Sequence, residues 1–245
     1  MKTRTNQRLA AAGMASAAGL AIAGFTALGS IFDYPQILKE PTGEILIHFR
    51  ENQGAISLWF LLLAISAGLL APVGLLLGRL AGGTSGRWIA GLGVTAAAVQ
   101  VIGLSRWVVL IPRLSDDALV PSRTADAERT FELLHTWLGK ALGETLGYAL
   151  TATFTVLVVI GITRAVAPRW MAYLGYISAG LITTGVLIPL GLSPLSITNF
   201  IGYVAWCLWL IGMAIALWRT DAVHAVTSSE TPRTHHTPST HPSHA

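Results

Sequence analysis

Charge is what this chain has least of. Only 11% of its 245 residues are Asp, Glu, Lys or Arg, where a soluble domain carries about 25%. One cysteine, Cys207, excludes an internal disulfide framework and a cysteine-based metal cluster. No Walker loop, G-x-S-x-G elbow, H-E-x-x-H helix or Rossmann glycine pattern occurs. Nucleotide binding and hydrolysis of the soluble kinds are therefore without support. What fills the space is apolar: 53% of residues are hydrophobic and the mean hydropathy is +0.60. The net charge of +4 follows from basic loop ends and asks for no nucleic-acid partner.

A membrane-spanning helix needs about 20 mostly apolar residues. Segments near 9–31, 55–78, 88–112, 133–163, 171–192 and 195–218 qualify. The expected fold is an all-α, polytopic transmembrane bundle of six spans, preceded by a short N-terminus at 1–8. Lys2, Arg4 and Arg8 before an Ala/Gly-rich run, with Ala21-Ile22-Ala23, also fit a cleaved secretory signal. The apolar run continues through Phe25, Leu28 and Phe32, beyond such a site, and favours an uncleaved first helix. Residues 219–245 are rich in Ser, Thr, Pro and His, a composition that cannot bury a core and should stay disordered. Their histidines (His224, His235, His236, His241, His244) leave open a loose metal-binding tail beside the plainer reading of a solvated end.

Lys and Arg set orientation. With the N-terminus inside, the cytoplasmic side carries Lys2, Arg4, Arg8, Arg79, Arg87, Arg164, Arg169, Arg219 and Arg233. The other side carries Lys39, Arg50, Arg106, Arg113, Arg123, Arg129 and Lys140. Both termini are expected in the cytoplasm of a cell whose plasma membrane holds the chain, with two long loops outside.

Within this apolar background, residues 135–148 stand apart. Gly139, Gly143 and Gly147 repeat at helical spacing below His135, with Lys140, Glu144 and Tyr148 one position round. A lipid-facing helix has no use for such a stripe, and a charge at membrane depth marks a functional site by default. At 1.5 Å per residue, Arg106 lies about 28 Å above Arg87 and Glu144 about 30 Å above Arg164. Both reach the outer edge of the hydrocarbon core at one level, where an Arg–carboxylate pair would offset desolvation. The same count raises His135 about 13 Å above Glu144 and His48 about 16 Å above Trp59. Residues 44–51 and 125–138 are amphipathic, so the outer loops should fold as a small extracytoplasmic helical cap. That cap would bring His48, Arg50, His135, Arg106, Lys140 and Glu144 into one region.

Each feature carries a plainer alternative. The glycines fit close helix packing. Arg106 with Glu144 fits a structural pair, which also perturbs titration. His48 and His135 fit interfacial polar residues as well as haem or metal ligands, and a catalytic zinc wants three protein ligands. Trp107, Trp137, Trp170, Tyr173 and Tyr176 fall near expected borders and fit an aromatic belt. Gln100 and Asn199 fit amide bonds between helices.

Four stretches together resemble a bacterial integral membrane family labelled domain of unknown function 4386. They are FDYPQILKEPTGEIL at 32–46, GLSRWVVLIPRL at 103–114, LHTWLGKALGETLGY at 134–148 and GYVAWCLWL at 202–210. The matching residues are Tyr34, Pro35, Ile37 and Leu38, then Arg106 and Trp107, then His135, Gly143, Glu144, Gly147 and Tyr148. The resemblance implies an integral membrane protein of about six helices over roughly 30–218 and implies no activity.

Three functional readings follow. The first is a non-enzymatic protein whose outward polar site (Arg106, Glu144, His135, Lys140, Tyr148) binds or passes a small ligand, a lipid or an anion, with no cofactor. The second is a haem- or metal-dependent redox protein using His48 and His135. The third is a sensor or partner protein that forms a homo-oligomer in the bilayer, or joins another membrane protein, through Gly139, Gly143 and Gly147. On the orientation above, a cysteine placed at Val120 should react with a membrane-impermeant thiol reagent in intact cells. Labelling only after lysis would reverse the topology.

Overall fold

A computed structural model of the chain describes residues 2–190, 192 and 195–229. Among these, six helices are long and apolar enough to cross a membrane: Thr3–Phe32, Gln53–Ala81, Gly83–Asp117, Thr124–Val166, Arg169–Ile188 and Leu195–Thr220. The chain is thus an all-α bundle, and its six spans are those expected from hydropathy.

Each break within a span has a local cause. The second span divides into α3 (Gln53–Gly68) and α4 (Leu70–Ala81) just ahead of Pro72, whose ring and missing N–H disrupt the preceding turn. The third divides into α5 (Gly83–Val109) and α6 (Ile111–Asp117) just ahead of Pro112. Gly82 and Gly83, with φ of 66° and 57°, reverse the chain between α4 and α5, a conformation that glycine adopts without steric cost. The fourth span ends in the short α9 (Arg164–Val166), and Ala167 is extended before Pro168, as a pre-proline residue should be.

The first helix, α1 (Lys2–Phe32), packs on α3, α4 and α11 (Leu195–Ser229). α5 packs on α3 and α4 and, on its other side, on the fourth span. That span meets α10 (Arg169–Thr184), which lies against α11. The spans therefore form a ring closed in chain order. At the crossing of α4 and α5, a Cβ on Gly93 would lie 2.8 Å from the Gly74 Cα and 3.1 Å from the Phe154 ring. Two backbones meet there and Phe154 fills the remaining gap. Around it the lower core gathers Met14, Leu70, Val73, Leu77, Ile89, Val158 and Trp209.

At the opposite end from Gly82, α2 (Thr42–Glu51), α6 and α7 (Thr124–Leu134) pack on one another as a cap. The amphipathic readings of 44–51 and of the stretch opening at 125 are realised as α2 and α7, while α6 runs from the end of the third expected span into the loop after it. Ile45, Leu46, Phe49, Ile111 and Phe131 turn inward and join a second core with Leu28, Phe32, Ile56, Phe60 and Trp107.

α11 runs on to Ser229, through the start of the segment expected as a tail. The remainder of that segment and the side chains of its histidines lie outside the described residues.

Gly93→Val should separate α4 from α5 and cost about 1–3 kcal/mol, the usual penalty of overpacking. Gly91→Ala should cost nothing, because its Cβ would meet open space. Denaturant unfolding in detergent micelles distinguishes the two, and equal effects would refute the crossing.

Candidate functional site

The stripe at 135–148 adopts an unexpected form. Residues His135–Leu146 are π-helical, and α8 (Gly147–Val158) follows. A second π-helical stretch spans Val159–Thr163. The Thr145 hydroxyl donates to the Lys140 carbonyl five residues back at 3.0 Å, in keeping with the wide coil. This corrects the depth arithmetic, which assumed 1.5 Å per residue throughout. A wider coil climbs less per residue, so His135 stands nearer to Glu144 than the count put it.

The wide coil also changes which residues share a face. At 3.6 residues per turn, nine residues make two and a half turns, so His135 and Glu144 would point in opposite directions. With i→i+5 bonding and about 4.4 residues per turn, nine residues make about two turns and the pair comes to one side. Arg106 bears on both: its charge acts on His135 and on Glu144, and that of Glu144 acts on Arg106. π-Helical stretches are rare and occur often at functional sites.

Arg106, on the last turns of α5, is only 6% exposed. Its Nη1 donates to the Gly103 carbonyl one turn earlier at 2.6 Å. Its guanidinium carbon stands 5.4 Å from the centre of the Trp107 ring, within range of a cation–π interaction. Gly139 admits it: a Cβ there would lie 2.9 Å from Arg106 Nη2 and 3.1 Å from His135 Nδ1. His135 is 9% exposed, and its Nδ1 has no hydrogen-bond partner among the described residues. Two nitrogens from different helices thus converge on one point beside a glycine. Among the described residues Arg106 and Glu144 form no direct ion pair.

Aromatic rings roof the site. Trp107 is fully buried, stacks on Phe60 at 4.7 Å, and meets Phe32, Phe49 and Phe131 edge-on or tilted. Phe131 stacks on His135 at 5.9 Å. Trp107 is therefore a core residue and not a member of an aromatic belt, although Trp137, Trp170 and Tyr173 are largely exposed as belt residues would be. Tyr176 is half-buried, with the Arg164 guanidinium over its ring.

The remaining walls combine Tyr148 and Lys140, which the sequence reading put in the site, with residues that it left out. Tyr34, in the turn after α1, packs edge-on to Phe60 at 5.2 Å. Burial pushes its hydroxyl up to about 12, and the opposing field of Arg106 is the next largest influence. Tyr148 meets Tyr203 at 5.5 Å. A Cβ on Gly185 would strike the Tyr148 ring and the Asn199 amide, whose nitrogen donates to the Ile182 carbonyl at 2.8 Å. Below, Gln100 donates to Thr151 at 2.6 Å, a bond between helices as expected. Lys140 is exposed at the rim and acts on both Glu144 and His135.

Two expected members lie elsewhere. His48 faces outward on α2 and pairs with Glu51 at 3.3 Å. Arg50 pairs with Asp116 at 3.2 Å beside a groove of about 370 Å³ between α2, α6 and α7. The convergence of His48 and Arg50 on Arg106 is corrected accordingly, because heights along helices do not fix which way a side chain turns. Among the described residues no three His, Cys, Asp or Glu side chains gather where one metal could sit. The three glycines turn toward α5 of the same chain, Gly139 to Arg106, Gly143 to Gly103, and Gly147 to Gln100 and Val99. That takes up the face which the dimer reading gave to a partner.

The chain matches the family described as "Domain of unknown function (DUF4386)" over residues 7–213, and it belongs to that family. No curated protein and no solved structure matches it.

Tyr34 keeps its proton to about 12 when folded and loses it near 10 when unfolded. The folded chain should therefore lose stability as pH rises from 10 toward 12, since the unfolded state releases the proton first. Tyr34→Phe should flatten that decline in unfolding midpoints measured across this range. An unchanged slope would place the phenol in water.

Proposed function

We propose that this member of the family is a multi-pass membrane protein that binds a small polar ligand, without chemistry, at the cap end of its bundle. Arg106, His135 and Glu144 form the site, with Tyr148 as a wall and Lys140 at the mouth. The observation that carries the reading is the state of Arg106. A guanidinium has five N–H donors and cannot shed its charge. Here it is 94% buried, since 6% is exposed, and the hydrogen bond that its side chain makes among described residues goes to its own helix. Burying a charge with its donors so poorly used costs several kcal/mol. A structural role would be served at less cost by an apolar residue. A group recruited to meet a ligand accounts for the arrangement.

The termini lie in the cytoplasm on this reading, which places the site and its cap on the outer side of the plasma membrane. The support is the distribution of arginines: Arg79, Arg87, Arg164 and Arg169 cluster at the end away from the cap.

Arg106→Gln should abolish saturable uptake of heat on titrating small polar solutes into the purified protein. Arg106→Lys, which keeps the charge and loses the planar fork, should weaken it about tenfold or more, the effect of about 1.5–3 kcal/mol for a charge-assisted bond. Wild-type protein that takes up no polar solute, or a Gln variant that binds as wild type does, would refute the reading.

A further inference from the structure

The two ends of the site present opposite chemistry. At one end, Arg106 Nη2 and His135 Nδ1 approach a single point, 2.9 Å and 3.1 Å from where a Gly139 Cβ would stand. Both atoms are buried, and the imidazole nitrogen is unpartnered. A neutral imidazole carrying its proton on Nδ1 donates there, beside a guanidinium N–H that can only donate. Such a pair of donors fits the oxygens of a carboxylate or phosphate.

Two turns further along the same face of the π-helical segment, at the other end of the site, stands Glu144, half-buried, with no hydrogen bond or ion pair among the described residues. The tyrosines on which its charge bears are Tyr34, Tyr148 and Tyr203. A carboxylate with no ion pair is what an ammonium group seeks. Lys140, whose charge also bears on Glu144, is exposed to solvent. A simple anion drawn to Arg106 would meet the like charge of Glu144 at low dielectric. A simple cation drawn to Glu144 would meet Arg106.

Resting on the ligand-binding reading above, we infer that the ligand is a short zwitterion. Its anionic group lies on Arg106 and His135, and its ammonium group lies on Glu144. Arg106 and Glu144 remain apart, with the ligand's two charges between theirs. The shared chemistry, an ammonium a few bonds from a carboxylate or phosphate, belongs to free α-amino acids and to the phosphoethanolamine headgroup of a lipid. The cap and its aromatic roof cover the Arg106 side, and Lys140 marks the mouth.

The test is calorimetric titration of the full chain, purified in detergent, with glycine, glycerophosphoethanolamine, acetate, inorganic phosphate and methylammonium. Native mass spectrometry from bilayer nanodiscs with and without phosphatidylethanolamine runs alongside. The proposal expects a zwitterion to bind at least tenfold more tightly than any single-charge probe. Glu144→Gln, isosteric and with no hydrogen bond to lose, should reduce zwitterion binding tenfold or more. The same variant should leave acetate and phosphate as they were or tighten them. Glycine ahead of glycerophosphoethanolamine indicates a free amino acid. The reverse order, with phosphatidylethanolamine retained in flight, indicates a lipid. Acetate or phosphate binding as tightly as the zwitterions, with no loss in Glu144→Gln, overturns this inference and leaves the ligand-binding reading standing. No binding of any probe overturns both.

Discussion

A guanidinium buried among aromatic rings is the constraint on which the upper half of this protein turns. Arg106 cannot neutralise itself by losing a proton, so the structure has to come to it. α5 supplies the Gly103 carbonyl and the Trp107 ring. The fourth span supplies Glu144, His135 and the glycine that lets the guanidinium in. A regular helix could not offer His135 and Glu144 on one side, nine residues apart. The π-helical coil of 135–146 does so, and its rarity accords with a functional demand that outweighs the better hydrogen bonding of an α-helix.

The cap follows from the same demand. A charged group near the end of a bundle would draw water through any open mouth, and water would weaken every interaction made there. Phe32, Phe49, Phe60, Trp107 and Phe131 form a continuous set of ring contacts over Arg106. These rings come from α1, α2, α3, α5 and α7, so the roof also ties the cap to the spans. The lower half is built differently. There Gly74 and Gly93 let backbones meet, and Phe154 fills the crossing. Packing holds that end together, and polar chemistry is confined to the other.

Hydropathy made the six spans legible, and amphipathic spacing made α2 and α7 legible, because both signals are local. Counting residues between the basic ends drew attention to Arg106 and Glu144, although the π-helical stretches alter the rise that it assumed. The π-helical segment was not, because the count presumed one helical geometry. Nor was the place of Trp107, since an aromatic residue beside a membrane border has an adequate explanation in lipid contact. Tyr34, Tyr203 and Gly185 entered the site through packing between distant segments, and no spacing in the sequence carries that. His48 was misplaced for a related reason: its height was right to consider, but α2 turns it outward to Glu51.

The central claim is that Arg106 and Glu144 act on each other across the interface between α5 and the π-helical segment. A double-mutant cycle on unfolding free energy, with Arg106→Gln, Glu144→Gln and the pair together, tests it most directly. The account predicts an interaction energy of about 0.5–3 kcal/mol, with the double variant less destabilised than the sum of the single ones. Additivity within about 0.3–0.5 kcal/mol would mean that the two charges do not sense each other, and would contradict it.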